Sequence, residues 1–379
     1  MIPETVFSAT LLSFFDPVRR YLDDPSVTEV MINGPGKIYV ERRGKLVKVE
    51  ETFPNVKALY AALRNTAQYV GKHVDEERPL LEGRFPDGSR VAAVLPPAGA
   101  GGPYVAIRRF FGEKLTMNKL LEFDSLTPDA AELIRVLVES KQNIVIAGGT
   151  SSGKTSLLNS VSELIPEDER VVVIEDSQEL ALLRDHVVTL EGRPADAKGR
   201  GEVTIRQLFR ITLRMRPDRI VIGELRGGEA LDLIQAMTSG HGGCLTTLHA
   251  TYPRDVLTRL ETMAMMADIE MPLPALRAQI ASAINIVVQA ARFRDGTRKI
   301  THISEICGFD MDRNTYLIND LFLRHVSGVD QDGRVISELL PTGILPSSME
   351  AIRAAGLDVP DAVRAAAEWR NAGEIGVAQ

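Results

Sequence analysis

The chain has 379 residues, of which 25% are charged and 44% hydrophobic, a composition typical of soluble globular proteins that excludes disordered and fibrous classes. This length predicts two domains and a tail, because single hydrophobic cores rarely grow beyond about 250–300 residues. The formal net charge of −7 provides no global basic field, so we expect no direct binding of nucleic acid.

Cysteine usage and apolar stretches indicate the compartment. Cys244 and Cys307 lack the paired spacing of a metal site and are too few for a disulfide framework, which is typical of a reducing cytoplasm. The longest apolar stretch, residues 281–291, is interrupted by polar residues and is shorter than the roughly 18 residues of a membrane-spanning helix. The N-terminus lacks the basic start and the cleavage site of a secretion signal. We therefore expect a cytoplasmic protein.

Residues 1–112 are predicted to form an α+β N-terminal domain. Apolar residues at helical spacing predict one helix over residues 5–24 and another over residues 55–72. Alternating residues around glycine-containing turns predict consecutive hairpins between these helices. Residues 87–110 predict two more strands joined by a Pro/Gly-rich loop.

The second half of the chain alternates helical patterns with apolar strands. After a linker over residues 113–125, this alternation predicts an α/β domain with a parallel sheet over residues 126–310. A polar, glycine-rich stretch at 192–204 is predicted to be a loop. Residues 311–379 mix short strand signals with an Ala-rich helical end, and we predict a small C-terminal extension there.

The segment GGTSSGKT at residues 148–155 matches the phosphate-binding pattern GxxxxGK[ST] between a strand and a helix. Its glycines let backbone N–H groups face phosphate oxygens. Lys154 is expected to reach the β- and γ-phosphates of ATP, and the Thr155 hydroxyl is expected to bind Mg²⁺. The alternative is a chance match in a glycine-rich turn. The predicted strand before the segment and the predicted helix after it argue against that alternative. The predicted nucleotide ligands are Gly148, Gly149, Thr150, Ser151, Ser152, Gly153, Lys154, Thr155 and Ser156.

Hydrolysis also needs a carboxylate that positions Mg²⁺ or the attacking water. Glu224 ends the predicted strand DRIVIGE, where the alternative is a solvated carboxylate. Gly223 stands where many such ATPases have a Mg²⁺-associated Asp, so we expect Glu224 to serve both purposes. A second strand ends in Glu175 and Asp176, which alternation places on opposite faces, and we favour Glu175 as the inward residue.

Histidines and arginines complete the candidate site. His241 and His249 lie among small residues in SGHGGCLTTLHAT and are candidates for sensing the γ-phosphate, with hydrogen-bonded structural roles as the alternative. ATP hydrolysis also commonly uses arginines that stabilise the negative charge on the γ-phosphate in the transition state. The candidates are Arg90, Arg108, Arg109, Arg210, Arg214 and Arg216, for each of which the alternative is an ion pair without a catalytic role.

Together these segments resemble the secretion ATPase superfamily of type II secretion, type IV pili and conjugation. GGTSSGKT resembles its Walker A motif, RVVVIEDSQEL its Asp box, LRMRPDRIVIGELRGGEALDLIQAMTSGH its Walker B region and GHGGCLTTLHA its His box. Within the superfamily the chain most resembles the Tad (Flp) pilus ATPases of the CpaF type. The segments VTEVMINGPGKIYVERRGKL, GRFPDGSRVAAVLPP and SGVDQDGRVISELLPTGILP carry that resemblance.

The resemblance implies a RecA-like ATPase domain paired with an N-terminal domain. It makes Glu224 the catalytic glutamate, Glu175 an acidic partner, His241 and His249 the His-box residues, and a glycine at 223 normal. It also matches Arg90 and Arg108 to the arginine fingers. It further implies a homohexamer, peripherally associated with the cytoplasmic face of the inner membrane, that couples ATP turnover to a platform protein.

Three functions follow as hypotheses. The first is an ATPase motor for assembly, with retraction as an additional role, of a Tad-type pilus. The second is a conjugative or type IV secretion ATPase, which shares the core motifs. The third is a regulator that binds ATP with little turnover and switches through the ordering of loops.

Overall fold

The computed structural model describes residues 11–42, 44–109, 115–195, 199–267 and 269–371. The chain divides into two compact units, residues 1–113 and 114–379. Across the described ranges, no helix has both the length and the apolar character needed to cross a bilayer.

The first unit consists of an antiparallel sheet and two helices. The helices are α1 (Asp16–Asp23) and α2 (Val56–Tyr69). The strands are β1 (Val27–Asn33), β2 (Ile38–Arg42), β3 (Lys45–Val49), β4 (Leu80–Arg84), β5 (Arg90–Val94) and β6 (Tyr104–Arg108). They are ordered β3-β2-β1-β6-β5-β4, and each neighbouring pair is antiparallel. The predicted α+β class of this unit is thus observed.

The predicted first helix differs from the structure. Residues 5–10 lie outside the described part of the chain, residues 11–13 are helical, and a turn at 14–15 precedes α1. Pro17 occupies the first turn of α1. Proline lacks an N–H and cannot continue a helix that arrives from its N-terminal side, although its fixed φ suits a helix start. A continuous helix over the described residues 11–24 is therefore wrong.

The second unit contains the larger sheet. Its helices are α3 (Met117–Glu122), α4 (Pro128–Glu139), α5 (Lys154–Ser162), α6 (Ile205–Thr212), α7 (Glu229–Thr238), α8 (Pro253–Met265), α9 (Leu273–Ala283), α10 (Met349–Ala354) and α11 (Asp361–Asn371). Its strands are β7 (Ile144–Gly148), β8 (Val171–Glu175), β9 (Val187–Glu191), β10 (Arg219–Ile222), β11 (Leu245–His249), β12 (Ile286–Arg292), β13 (Arg298–Asp310), β14 (Thr315–Val329) and β15 (Val335–Pro341).

The strands of this sheet are ordered β15-β14-β13-β12-β7-β11-β10-β8-β9. The six from β12 to β9 are parallel, and the three at the other end are antiparallel. Alternate residues of β7 belong to two different apolar cores, Val145 and Ala147 to one and Ile144 and Ile146 to the other. Both faces of the sheet are therefore covered, which explains why its central strands are apolar throughout. The predicted α/β class with a parallel sheet is confirmed.

The last predicted strands are longer than their sequence signals suggest. β13 has 13 residues and ends at Asp310, and β14 has 15 residues and continues the same sheet beyond it. Register shifts interrupt their pairing between Ile303 and Ser304 and between Ile306 and Gly308. Such irregularities break the strict alternation by which long strands are recognised in a sequence.

Candidate functional site

The loop between β7 and α5 forms the centre of the site. α5 begins at Lys154, and the residue before it, Gly153, has φ +91° and supplies no side-chain cap. The first N–H groups of this helix therefore keep the orientation that suits an anion. Ser152 Oγ is buried and forms no hydrogen bond within the described residues. A free helix start beside a buried hydroxyl fits a phosphate group.

Gly148 must lack a side chain. A Cβ there would lie 2.3 Å from Ser152 Oγ and 2.5 Å from the carbonyl oxygen of Ala290 on the neighbouring strand β12. A Cβ at the adjacent Gly149 would meet nothing within 4 Å. The loop is thus tightly packed at its start and open one residue later.

We expect Gly148→Ala to lower the free energy of unfolding by about 1–3 kcal/mol, because the new methyl group meets backbone that cannot move aside. Urea unfolding of the purified protein measures this change. Gly149→Ala is the matched control and should remain within about 0.5 kcal/mol of wild type. Equal effects of the two substitutions would contradict the packing described here.

Lys154 and His249 meet at this loop. The Lys154 ammonium donates to the carbonyl oxygen of Gly149 at 3.0 Å and lies 3.2 Å from His249 Nδ1. The register of β11 with β7 explains the contact, because His249 is paired with Gly148 at the carboxyl ends of the two parallel strands. The strand pairing therefore positions His249 at the phosphate-binding loop.

His249 links the loop to Glu224. Its Nε2 lies 2.8 Å from Glu224 Oε1. Burial lowers the pKa of the His249 imidazole and the Lys154 charge lowers it further, while Glu224 opposes both effects. A neutral imidazole that donates from Nε2 to Glu224 and accepts at Nδ1 from Lys154 satisfies all three groups.

Arg226 continues this series of contacts on the other side of Glu224. Its Nε donates to Glu224 Oε2 at 2.7 Å, and its Nη1 donates to Asp176 Oδ2 at 2.9 Å. The Arg226 side chain is 59% exposed, whereas that of Glu224 is 18% exposed. Sequence reasoning missed Arg226, although it follows Glu224 by only two residues.

Glu175 and Asp176 lie in different surroundings. Glu175 is buried and accepts from the backbone N–H groups of Glu179 and Leu180, whereas Asp176 is exposed. A Cβ at Gly223 would lie 2.9 Å from Glu175 Cγ. Gly223 is therefore needed because the Glu175 side chain occupies the adjacent space.

The two histidines lie at opposite ends of β11. His241 precedes the strand, and the neighbouring Gly242 lies close to the carbonyl oxygen of Lys141, which precedes β7. The intervening strand spans on the order of 15 Å, at about 3.3 Å per residue. Within this chain the structure brings His249 to the phosphate-binding loop and does not bring His241 there.

The arginine candidates of the first unit lie on one sheet. Arg90 is paired with Arg84 on one side and with Arg108 on the other, so the three side chains project from the same face. Glu29 of β1 is paired with Arg108 on its other side, and its carboxylate offsets part of the positive charge on this face. Arg109, by contrast, donates to the carbonyl oxygens of Asp24 and Val27 and holds a turn.

The remaining predicted residues divide between the site and the rest of the second unit. Thr155 and Ser156 lie in the first turn of α5, and Thr150 is exposed in the loop. Arg210 forms an ion pair with Asp232 at 2.9 Å, in agreement with the structural alternative.

Comparison with known proteins identifies relatives over most of the chain. A family model described as type II/IV secretion system protein matches residues 13–341. A putative conjugal transfer protein of Mycobacterium tuberculosis is 33% identical over 289 residues, which cover 75% of this chain and 82% of that protein. Type IV secretion system protein VirB11 of Brucella suis is 33% identical over 332 residues, covering 79% and 90% of the two chains.

A solved structure agrees in fold. The X-ray structure of the Legionella pneumophila ATPase DotB superimposes with a TM-score of 0.54 at 19% identity, covering 79% of this chain and 81% of that one. The likeness supports the RecA-like fold that the sequence resemblance implied. The family match and the phosphate-binding loop agree on the same activity. The chain belongs to the type II/IV secretion system protein family, and it is an ATP-hydrolysing enzyme with a RecA-like P-loop domain.

Proposed function

We propose that this enzyme is a homohexameric motor that powers the assembly, and also the retraction, of a Tad-type pilus through a platform protein in the inner membrane. It would act in the cytoplasm, in peripheral contact with that membrane. The observation that carries the motor role is the continuous series of contacts from Lys154 through His249 to Glu224. The three CpaF-like segments support the Tad assignment.

The site residues divide the work of hydrolysis between them. Backbone N–H groups of residues 149–155 and the Lys154 ammonium would bind the phosphates of ATP. Thr155 and Glu224 would hold Mg²⁺, which neutralises charge on the phosphate oxygens. Glu224 would also orient the attacking water. His249 would couple the position of Glu224 to the presence of the γ-phosphate in the loop. Glu175 fixes the turn after β8 by accepting from the N–H groups of Glu179 and Leu180.

Arg90 and Arg108 are proposed as arginine fingers, supplied by the same chain or by a neighbouring subunit. We expect Arg108→Ala to lower kcat by about 10²-fold or more while changing nucleotide affinity less than about threefold, because finger contacts act on transition-state charge. Turnover and binding of a fluorescent ATP analogue measure the two quantities. Arg64→Ala, at an exposed arginine of the same unit, is the control. Equal losses in turnover and binding would contradict the finger role.

A cellular experiment tests the Tad assignment. In the source organism, a chromosomal Lys154→Ala variant should lose its surface pili while the protein is still present at the normal level. Normal piliation with a folded variant would exclude the pilus motor role.

A conjugative or type IV secretion ATPase is the second candidate. The names of two relatives, a putative conjugal transfer protein and a type IV secretion system protein, favour it. The same Lys154→Ala strain separates the candidates, since loss of DNA transfer or protein secretion with intact pili would support the second. The genes beside this one provide a faster indication.

A further inference from the structure

We propose that Arg298 is a positioning residue of the phosphate-binding loop, and that it couples the loop to residues 123–125, near the start of the larger unit. The proposal goes beyond the motor role, because it assigns to the β12–β13 hairpin a task in nucleotide binding.

Arg298 contacts the most constrained part of the loop. Its Nε donates to the carbonyl oxygen of Ser151 at 2.9 Å. Its Cδ lies 3.2 Å from the position that a Cβ of Gly153 would take. Ser151 has φ +57° and Gly153 has φ +91°, both in the left-handed region that L residues other than glycine rarely adopt. The side chain therefore lies along the segment whose backbone is hardest to maintain.

Sheet topology explains how a residue so distant in sequence reaches the loop. β12 is parallel to β7, with Ala290 paired with Gly148. The chain then reverses direction in a hairpin turn, and Arg298 at the start of β13 is paired with Arg292 at the end of β12. The hairpin thus extends beyond the sheet beside the phosphate-binding loop.

The backbone of the same strand is bonded to the segment 123–125. Ser125 Oγ donates to the carbonyl oxygen of Arg298 at 2.9 Å, and the Ile300 N–H donates to the carbonyl oxygen of Ser125 at 2.8 Å. The buried Lys299 ammonium donates to the carbonyl oxygens of Phe123 and Asp124 at 3.3 and 2.7 Å. It also pairs with the Asp124 carboxylate at 2.6 Å.

Two consecutive residues therefore hold two different segments. Lys299 fixes residues 123–125, here called the entry segment, and Arg298 fixes the phosphate-binding loop. A displacement of residues 123–125 would move the start of β13, and it would shift or lengthen the hydrogen bond from Arg298 to the Ser151 carbonyl oxygen. This arrangement lets movement of the entry segment change the affinity of the loop for nucleotide.

The first experiment tests the positioning role in the full-length protein with a fluorescent ADP analogue. We expect Arg298→Ala to raise its Kd about tenfold, since a charge-assisted hydrogen bond to the loop is lost. The kcat at saturating ATP should stay within about threefold, because the catalytic groups are intact. Arg298→Lys keeps a donor and a stem against Gly153, and should recover at least half of the lost affinity on a logarithmic scale.

Arg294→Ala is the control, because it removes an exposed arginine from the same hairpin. Thermal unfolding of each variant establishes that it is folded. If Arg298→Ala does not fold, Arg298→Lys and Arg298→Gln provide the comparison, with Gln expected to bind more weakly than Lys. The proposal would be overturned if folded Arg298→Ala bound the ADP analogue with a Kd within twofold of wild type. If the alanine variant does not fold, the same criterion applies to Arg298→Gln. This outcome does not depend on whether the wild-type protein hydrolyses ATP.

The second experiment tests the coupling. Lys299→Met removes the bonds to Phe123 and Asp124 but leaves those of Ser125, and we expect it to change the Kd of the ADP analogue about threefold when Arg298 is present. The same substitution in an Arg298→Ala background should have no effect on Kd, because the connection is already cut. Equal effects of Lys299→Met in both backgrounds would show that Lys299 acts independently of Arg298 and would overturn the coupling.

Discussion

Glu224→Gln is expected to reduce ATP turnover by about 10²- to 10⁴-fold, the range for loss of a positioned acid–base group. The amide keeps the shape of the side chain and can still accept from Arg226 Nε, which donates to Glu224 Oε2 at 2.7 Å. It cannot take a proton from water. Nucleotide affinity should therefore change by less than about fivefold. Single-turnover hydrolysis combined with equilibrium binding separates the two effects.

Asp176→Asn is the matched control for this prediction, because Asp176 is an exposed carboxylate that shares Arg226 with Glu224. It should lower turnover less than about tenfold. A Glu224→Gln protein that hydrolyses ATP at more than about a tenth of the wild-type rate would remove Glu224 from the catalytic role.

Lys154→Ala is expected to weaken ATP binding by on the order of 10- to 100-fold and to lower kcat by a further 10²-fold or more. The ammonium is buried beside the loop, where hydrogen bonds to phosphate oxygens are charge-assisted and poorly screened. Isothermal titration with a nonhydrolysable ATP analogue and a coupled turnover assay measure the two losses.

Lys141→Ala tests whether any loss of lysine has this effect. Lys141 lies at the opposite end of β7 and forms an ion pair with Glu169 at 3.0 Å. That variant should bind and hydrolyse ATP within about twofold of wild type. Retention of wild-type affinity by Lys154→Ala would show that nucleotide binds elsewhere.

Local sequence patterns predict much of the fold, since hairpins and apolar strands depend on neighbouring residues. The strands β1 to β3 follow the alternation around Asn33-Gly34 and Gly44, and α2 is capped by Asn55, whose side chain accepts from the Ala58 N–H. The turn before Pro17 and the length of β14 escape these patterns. The turn depends on how a short helix meets a proline, and β14 is lengthened by pairing with two neighbours across register shifts.

The candidate site is likewise only partly predictable from local sequence patterns. The loop at 148–155 and Glu224 are recognisable from short motifs because their chemistry requires particular residues at fixed spacing. His241 and His249 are equivalent in sequence, and only the register of β11 with β7 separates them. Arg298 has no sequence signal at all, since it meets Ser151 through the order of strands in the sheet.

The catalytic roles, the subdivision at residues 113–125 and 310–311, and the Tad assignment stay predictions. Each depends on bound nucleotide, on neighbouring subunits or on partner proteins. A motor role needs all of them, but its first requirement is ATP turnover at the phosphate-binding loop.

The decisive measurement is steady-state ATP hydrolysis by the purified full-length protein, compared with that of Glu224→Gln at saturating ATP. We expect sustained turnover by the wild-type protein and its near-complete loss in the variant, with ATP bound in both. Bound ATP without turnover in the wild-type protein would exclude a motor and favour a nucleotide-dependent regulatory switch.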